Sequence, residues 1–368
     1  MEPRVLILTA SVGEGHDLPT RTLAEQLHRE DPSADVRILD VLSVMGRLIK
    51  VISDDGARAI FLRKRAHWLW DVSFATVSQF APTRRATQFL LAKVGGPPLL
   101  RAVQEIDPDV VVSTYPTSTE VLAHFRRRGR LTVPLLAAVT DLAGLRYWAA
   151  RGVDVHLITH PESDAEVRSI AGNDAEIQCV HGLTRAEFLD PPTKADARTE
   201  LGLPAGKVVL VSGGGWGVGD VGSAIEAALE LGEVEMVVCL CGRNEELRER
   251  LRADYASEPR VRLEGFTEQM ASWMSASDAL VHSTGGLTVL EALMCGCPAI
   301  SFGWGRGHIR RQNDAFRRFG LADVATSPAE LRVALRSALA KTKQADRSFA
   351  ALPSAASVVL ARARTQEG

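Results

Sequence analysis

Short apolar runs alternate with amphipathic segments along the first half of the chain. The run at 4–10 is apolar on both faces, which is typical of a strand in a parallel sheet covered by helices. An amphipathic helix is predicted over 19–29, with Leu23, Ala24 and Leu27 facing inward. Further strands are predicted at 35–40, 109–113, 134–140, 153–159 and 177–181. Strand, loop and helix in this order predict a doubly wound α/β domain.

The same alternation returns in the second half. Strands are predicted at 207–211, 234–240, 260–263, 278–281, 299–302 and 322–325. Helical spacing of apolar residues follows at 221–231, 287–294, 328–340 and 354–364. The predicted fold class is therefore α/β, with two Rossmann-like domains.

The length supports two domains, because 368 residues exceed what a single hydrophobic core usually holds. The best linker is 182–192, which contains Asp190-Pro191-Pro192. We predict an N-terminal domain at 1–185, a C-terminal domain at 186–343, and a final segment at 344–368 whose helix packs back on the N-terminal domain.

Composition narrows the class of protein. With 46% hydrophobic and 24% charged residues, the chain is typical of a soluble globular protein, and its net charge of −2 gives no electrostatic reason to expect nucleic acid as a partner. The five cysteines form two Cys-x-Cys pairs and one single residue, without the histidine or second CxxC that a zinc site needs, so we expect reduced thiols and no metal. No signal peptide and no apolar run long enough to span a bilayer is found, which predicts a cytoplasmic protein.

Residues 45–101 interrupt the α/β rhythm. This stretch has ten basic and three acidic side chains, with six aromatic residues interleaved. Such a composition suits an anionic membrane surface, where cations meet headgroups and aromatic rings lie at the boundary. Nucleic acid binding would need the same charges, but no nucleic-acid-binding module is present. The remaining alternative is a helical insertion whose aromatic residues form a small core of their own.

A strand-to-helix turn near residue 285 has the features of a phosphate site. Gly285 and Gly286 follow the predicted strand at 278–281 and precede a helix, whose first N–H groups favour anions. Glu291 lies inside the same helix, where a carboxylate can accept hydrogen bonds from both ribose hydroxyls. A second glycine-rich loop at 212–219 follows the strand at 207–211 and can converge N–H groups on an anion. The alternative for each loop alone is a tight turn with no ligand.

His16 follows the first strand, where its loop enters the helix. The loop Ser11–His16 lacks the GxGxxG pattern, so it does not support a dinucleotide site. His16 is either a residue near the helix N-cap without chemistry, or a reactive group at the carboxyl edge of the sheet, where ligands bind in open α/β folds.

Several segments in order along the chain resemble one enzyme family. They are LILTASVGEGH (6–16), VTDLAGLRYW (139–148), VDVHLI (153–158), HGLTRAEF (181–188), VLVSGGGWGVGDV (209–221), CGRN (241–244), GFTEQMASWMSASDALV (265–281), GGLTVLEAL (285–293) and the 307–313 loop. The pattern resembles the GT-B glycosyltransferases, and most closely the monogalactosyldiacylglycerol synthase and processive diacylglycerol glucosyltransferase family, related to the bacterial lipid II N-acetylglucosaminyltransferase. The resemblance covers most of the chain outside 45–101. It implies two Rossmann-like domains facing across a cleft.

The resemblance also implies a UDP-sugar donor, a lipid acceptor and an inverting reaction, with no cofactor. Gly285, Gly286 and Thr288 would hold the diphosphate, Glu291 the ribose, and the backbone near Phe266 the uracil. The remaining donor-site residues would be Gly214, Gly215, Arg243, Gln312 and Asn313, the last two at the sugar.

The base that deprotonates the acceptor would be His16 or Asp141. The chain departs from the family's TDxxxHxxW pattern, since Leu145 replaces the histidine. It also has Gly182-Leu183-Thr184 where the family usually has Gly-Ile-Pro.

Four functions fit these features. The first is transfer of glucose, galactose or N-acetylglucosamine to a lipid hydroxyl by a cytoplasmic protein associated peripherally with the inner face of the cell membrane. The others are transfer to a soluble acceptor, epimerisation of a sugar nucleotide, and binding of a sugar nucleotide without catalysis.

Overall fold

A computed structural model describes residues 2–10, 14–45, 92–283, 285–303, 307–341 and 344–365. The chain divides into two compact units. Unit 1 consists of residues 1–184 and 352–368, and unit 2 consists of residues 185–351. Each unit is described here by itself.

Unit 1 is built on a parallel sheet. Its elements are β1 (Arg4–Thr9), α1 (Glu14–Glu30), β2 (Asp35–Asp40), α2 (Val41–Val44), α3 (Gly96–Ile106), β3 (Val110–Ser113), α4 (Pro116–Arg127), β4 (Leu135–Val139), β5 (Val155–Ile158), α5 (Asp164–Ala171) and β6 (Glu176–Cys179). Among the described residues six strands pair in the order β2-β1-β3-β4-β5-β6. Successive residues of β1 point to opposite faces of the sheet, so that Leu6 and Ile7 pack in two separate cores. Burial on both faces explains why the strand sequences are continuously apolar.

Unit 2 repeats this architecture. Its elements are α6 (Lys194–Leu201), β7 (Lys207–Ser212), α7 (Val221–Leu229), β8 (Val234–Leu240), α8 (Glu245–Asp254), β9 (Val261–Glu264), α9 (Met270–Ala276), β10 (Ala279–His282), α10 (Gly286–Met294), β11 (Ala299–Phe302), α11 (Gly307–Phe319), β12 (Asp323–Ala325) and α12 (Pro328–Leu339). The described strands form a six-stranded parallel sheet in the order β12-β11-β10-β7-β8-β9. The order reverses between β7 and β10, and such a switch point is where doubly wound folds bind ligands.

The last helix, α13 (Ala355–Arg364), belongs to unit 1. It packs against α1, and its apolar residues join the core that contains Leu23 and Val359. The segment before it is paired with the end of the β6 region, because the His181 N–H donates to the Pro353 carbonyl at 3.1 Å and the Ala355 N–H donates to the His181 carbonyl at 2.8 Å.

The predicted α/β class with two Rossmann-like sheets is confirmed. Two local predictions are wrong. Helix α1 begins at Glu14 rather than at Pro19, so Pro19 lies inside the helix; proline usually marks the first helical position, which explains the error. The predicted loop at 307–313 is the beginning of α11, in which a strongly amphipathic sequence forms a helix.

Most of the predicted basic and aromatic insertion lies outside the described residues, since 46–91 are not among them. Its described end forms α3, which buries Leu99, Leu100 and Val103. Within the parts of the chain that the structure describes, no helix is both long enough and apolar enough to cross a membrane.

Candidate functional site

Two loops meet at the switch point of the unit 2 sheet. β7 and β10 are paired in register, with Ser212 beside His282, so the loops that follow these strands leave the sheet side by side. The Ser283 hydroxyl donates a hydrogen bond to the Val218 carbonyl at 2.7 Å and joins one loop to the other. The two loops that the sequence singled out separately therefore form one continuous surface at the carboxyl edge.

Close backbone packing explains the glycines of the first loop. A Cβ on Gly213 would lie 2.5 Å from the Val218 carbonyl oxygen, which no side chain can tolerate without movement. The segment that follows β8 packs on the same loop. Gly242 has a φ of +60°, and a Cβ there would lie 2.5 Å from the carbonyl oxygens of Gly214 and Gly215. The Arg243 N–H donates to the Gly215 carbonyl at 2.8 Å, which fixes this segment beside the loop.

The second loop delivers the start of α10. Its N-cap residue is Gly285, which has no side chain to cap the helix. Gly286 begins the helix, and Thr288 follows as a half-buried residue of the first turn. The amide groups of a first helical turn and the helix dipole together favour a bound anion. This arrangement suits the diphosphate that the sequence predicts.

Glu291 is buried, with 7% of its surface exposed, one and a half turns inside α10. A carboxylate at such a depth needs hydrogen-bonding partners to stay charged. Gln312 and Asn313 are also buried, and they lie on α11 rather than in the predicted loop. The Ser301 hydroxyl donates to the Asn313 side-chain oxygen at 2.7 Å, which anchors α11 to the end of β11.

Arg243 and Phe266 form a flat pair beyond β8 and β9. The guanidinium carbon of Arg243 lies 3.7 Å from the centre of the Phe266 ring. The ring is 40% exposed, so a planar group has access to this region. β8 and β9 are neighbours in the sheet, and β8 also pairs with β7, so this pair lies on the same edge as the two loops.

The unit 1 edge is organised by side chains. Asp141 follows β4, and its carboxylate accepts a hydrogen bond from the Trp148 indole N–H at 3.0 Å. The turn between them is held by Glu166, which accepts from the Leu145 N–H at 2.9 Å and the Gly144 N–H at 3.3 Å. Asp141 is therefore fixed in position on one side by an indole.

Leu145 occupies the position of the histidine in the TDxxxHxxW pattern of the family that the sequence resembles. Its side chain is fully buried and packs in a small core with Val139, Trp148, Ile158 and Val167. The position therefore stabilises the turn that carries Asp141. A histidine there would need a polar partner in this apolar setting.

His16 lies in the first turn of α1, and its side chain is outside the described part of the structure. The carboxyl ends of β1, β3 and β4 share one sheet edge, because the strands are parallel neighbours. A hydrogen bond of 2.7 Å between the Thr20 and Thr114 hydroxyls joins α1 to the segment after β3. His16 and Asp141 thus belong to loops and helix starts of the same edge.

The structure brings eight predicted donor residues to one edge of unit 2, and places two more on α11. The eight are Gly214, Gly215, Arg243, Phe266, Gly285, Gly286, Thr288 and Glu291. Sequence reasoning assigned no role to Ser283, Trp148 or Glu166. Ser283 had a detectable signal, since a hydroxyl directly after a strand and before a glycine pair can bridge loops. The contact of Glu166 with residues 144–145 has no such signal, because it depends on the packing of α5.

Among the described residues, no group of three or more His, Cys, Asp or Glu side chains is arranged to hold a metal ion. The described cysteines are free thiols, and the Cys239 and Cys241 sulfurs lie 3.8 Å apart in the core. Burial and the neighbouring Glu291 and Glu187 carboxylates raise the pKa of the Cys295 thiol to about 12. This cysteine is consequently protonated at neutral pH.

Comparison with known proteins finds a matching family model for each of two parts of the chain. Residues 19–183 match the model of the monogalactosyldiacylglycerol (MGDG) synthase family, and residues 209–340 match the model described as glycosyl transferases group 1. The processive diacylglycerol beta-glucosyltransferase of Bacillus subtilis is 24% identical over 341 residues, which cover 92% of this chain and 87% of the relative. These matches confirm the resemblance found in the sequence.

Solved structures show the same fold. MurG of Acinetobacter baumannii superimposes with a TM-score of 0.59 at 16% identity and covers 99% of this chain and 100% of its own. HepE of Anabaena, solved in complex with UDP-glucose, has a TM-score of 0.50 at 14% identity, with 99% of each chain covered.

Proposed function

We propose, from a chain whose two parts match the MGDG synthase and group 1 glycosyltransferase families, that the protein transfers a hexose from a UDP-sugar to a lipid hydroxyl with inversion at the anomeric carbon. Unit 2 binds the donor, and unit 1 supplies the base that deprotonates the acceptor. The chain is a glycosyltransferase by its relatives. The donor, acceptor and residue roles below are our proposal.

The observation that carries the proposal is the paired-loop cradle at the switch point of unit 2. The Ser283–Val218 hydrogen bond joins the glycine-rich loop to the start of α10. A diphosphate at this point accepts hydrogen bonds from the backbone of both loops, and Gly285 and Gly286 allow it to approach the helix. The neighbouring Arg243–Phe266 pair offers a flat surface of the kind that a uracil ring requires.

Glu291 supplies the sugar-nucleotide selectivity in this scheme. A carboxylate accepts only, so it pairs with the two ribose hydroxyls as donors. Its depth inside α10 removes competing water. Gln312 and Asn313 hold the hexose, and the Ser301 contact orients Asn313 for that role.

The reaction is a single displacement. The base takes the proton of the acceptor hydroxyl, the acceptor oxygen forms a bond to the anomeric carbon, and the bond from that carbon to the diphosphate oxygen breaks. Negative charge then grows on the departing UDP, where the α10 amides and helix dipole stabilise it. Asp141 is a base held in place by the Trp148 indole, and His16 is the alternative base, because an imidazole nitrogen can accept a proton.

The acceptor assignment rests on the relatives. The Bacillus subtilis protein is named for action on diacylglycerol, and residues 19–183 match a family named for a diacylglycerol product. The basic and aromatic composition of residues 45–101 fits association with an anionic membrane surface, where such a lipid lies.

The decisive experiment incubates the protein with UDP-glucose, UDP-galactose and UDP-N-acetylglucosamine, each with extracted lipids or a panel of soluble hydroxyl compounds. Mass spectrometry identifies the products. We expect a glycosylated lipid from one donor, and much less product from the Glu291→Ala variant at a donor concentration that does not saturate it. If glycosides form only from the soluble compounds, the acceptor is a soluble molecule rather than a lipid. A reducing sugar or an epimerised nucleotide formed without acceptor would indicate an epimerase. UDP binding without any product would indicate a non-catalytic binding protein.

The membrane part is tested separately with vesicles. Exposed charge attraction is screened over about 10 Å at 0.1 M salt, so binding to anionic vesicles should weaken as salt rises. Replacing Arg63, Lys64 and Arg65 by Ser should weaken it further. The matched control replaces three of the exposed arginines of unit 2 by Ser; these are Arg250, Arg252 and Arg336. Equal binding to neutral and anionic vesicles would contradict the surface assignment while leaving the transfer reaction intact.

A further inference from the structure

A cavity of about 340 Å³ lies in unit 2 at the sheet edge opposite the donor loops. Its lining includes Lys207, where β7 begins, Asp278, just before β10, and Pro298, just before β11. Parallel strands all begin at the same edge, so this is the amino edge of the sheet. The donor loops follow the carboxyl ends, and the six residues of β7 separate the two edges by about 17 Å. The cavity is therefore distinct from the donor site.

Cations outnumber carboxylates in the lining, which has Lys194, Lys207, Lys341 and Arg347 against Asp278. Arg198 lies outside the lining but contacts the same carboxylate. Lys194 and Arg198 contact the Asp278 carboxylate at 2.7 Å and 2.8 Å, and Lys207 reaches it at 3.5 Å. Burial by itself raises the pKa of Asp278, but hydrogen bonds from Lys194 and the Val208 N–H, together with the charges of Lys194 and Arg198, bring it below its ordinary value. Asp278 thus stays ionised, and three cations share one anion.

Two further cations, Lys341 and Arg347, also line the cavity. Arg347 pairs with Asp190 at 2.5 Å. Within the described part of the chain, Lys341 has no carboxylate at ion-pair distance, although both side chains line the cavity. The cavity therefore has more positive charge than its own carboxylates neutralise, in a recess where an anion would be partly removed from water.

A buried hydroxyl also faces this space. Ser275 is 6% exposed and lines the cavity, and its side-chain oxygen has no hydrogen-bond partner of normal geometry among the described residues. The Cys295 thiol, a weak partner, lies beside it. An unsatisfied buried hydroxyl has a free-energy cost, and a ligand oxygen in the cavity would remove it.

We propose that this cavity is a second anion site, which takes a small molecule carrying a phosphate group. Phosphate offers several acceptor oxygens to Lys207, Lys341 and the Ser275 hydroxyl at once, and it carries the charge that the lining lacks. The cavity volume lies at the lower end of the range for small-ligand pockets. This size favours a phosphorylated sugar over a larger nucleotide. The phosphate group can come from a soluble metabolite or from a lipid headgroup.

Helix α10 connects the two sites. It begins at Gly286 in the donor cradle, and Cys295 and Gly296, just after its end, line the cavity. Any change in UDP affinity caused by the phosphate must be matched by an equal change in phosphate affinity caused by UDP.

Calorimetry with the full-length protein tests the site. Inorganic phosphate and glucose 6-phosphate are titrated with and without saturating UDP, which occupies the donor cradle. We expect binding that UDP does not displace and that weakens at least tenfold in the Lys207→Ala, Lys341→Ala double variant. The control Arg252→Ala removes an exposed cation that does not line the cavity, and should bind phosphate within twofold of the parent. The inference is independent of the proposed transfer reaction, because the same variants report on the cavity when UDP is left out.

Ser275→Ala separates a ligand role from a structural one. Because the hydroxyl has only the weak thiol partner, its removal should leave the melting temperature unchanged or higher and weaken phosphate binding at least threefold. A lower melting temperature with unchanged phosphate affinity would show a structural hydroxyl and contradict the assignment. So would phosphate binding that UDP abolishes, or equal binding by all variants, which indicates an adventitious ion only. Vesicles with a phosphomonoester lipid distinguish the sources: Lys341-dependent vesicle binding without binding of the soluble probes assigns a lipid headgroup.

Discussion

The two units share a sheet architecture and differ in what they place at the carboxyl edge. In unit 2 that edge is made of backbone, with glycines packed against carbonyl groups and a helix start whose N-cap residue is a glycine. In unit 1 it is made of side chains, among them the Asp141–Trp148 pair and the Thr20–Thr114 hydroxyls. Backbone amides suit a ligand whose charge is fixed, such as a diphosphate. Side chains suit proton transfer, because they titrate and are oriented by neighbours.

The largest expected effect tests whether unit 1 contributes to catalysis without contributing to UDP binding. Asp141→Asn or His16→Ala, whichever removes the base, should lower kcat by about 10²–10⁴, since the interaction acts in the transition state. UDP affinity should stay within about threefold in both variants, as measured by calorimetry. The control Asp174→Asn changes an exposed carboxylate of the same unit. Full turnover by both variants would show that unit 1 has another role.

Glu291→Ala is the converse test in unit 2. Removing a buried carboxylate that accepts two hydroxyls should cost about 2–4 kcal/mol of UDP binding, because hydrogen bonds to charged groups contribute about 1.5–3 kcal/mol each and do not add fully. The exposed Glu226→Ala on α7 is the control. A folded Glu291→Ala protein with parental UDP affinity in calorimetry would remove this residue from the site.

Acid should destabilise unit 1 through His156, a fully buried residue of β5. Burial lowers the pKa of His156 to about 4, whereas an unfolded histidine titrates near 6.5. The folded protein therefore keeps the imidazole neutral while the unfolded chain binds a proton. The contribution of His156 to the free energy of unfolding is fully present above about pH 6.5. It falls as the pH drops towards 4, and the loss reaches about 3 kcal/mol at a pH below both pKa values.

His156→Gln should flatten this dependence, as measured by melting temperature between pH 4 and 7. An unchanged slope in the variant would assign the acid sensitivity to other groups.

Gly213→Ala should break the cradle without altering charge. The new methyl group would lie 2.5 Å from the Val218 carbonyl oxygen, so the loop must open, and UDP should bind about tenfold to a hundredfold more weakly. Gly222→Ala, in α7, is the matched control, because nothing lies within 4 Å of its Cβ. Equal UDP affinity of the two variants would argue against a backbone-built site.

Trp148→Phe should have the smallest effect. The ring is retained but the indole N–H to Asp141 is lost, so we expect kcat to fall about threefold to tenfold, since one positioning hydrogen bond contributes about 1 kcal/mol. Trp273→Phe removes an indole donor in unit 2, where Thr267 is the acceptor, and should leave kcat near the parental value. If Asp141 is the base, Trp148→Phe combined with Asp141→Asn should be no slower than Asp141→Asn alone.

The strands were largely predictable, because burial on both faces makes their sequences continuously apolar. The predicted strands at 35–40, 234–240 and 299–302 match the observed bounds, and most others differ by one or two residues. Helix starts were harder to predict. Proline at position 19 suggested a boundary, but the packing of α1 carries the helix back to Glu14. A glycine-containing polar stretch suggested a loop at 307–313, where the inward face of α11 buries Gln312 and Phe316.

The glycine loops and Glu291 were visible in the sequence because anion sites and buried carboxylates follow local rules. The hydrogen-bond partners of Asp141 and of the 144–145 turn were not predictable. Trp148 contacts Asp141, and Glu166 contacts the turn, only because of how the chain folds between residues 141 and 166. The basic cavity was equally hidden, because its lining comes from segments as distant as 194 and 347.

The position of α13 has a consequence for synthesis on the ribosome. Unit 1 is discontinuous, since its core uses residues near position 5 together with Val359 and Ala363, which are translated after unit 2. Unit 2 is complete once residue 351 has emerged, and it can fold while unit 1 still lacks a helix. A stop codon before α13 would therefore leave unit 2 intact and expose the apolar side chains of unit 1 that α13 covers.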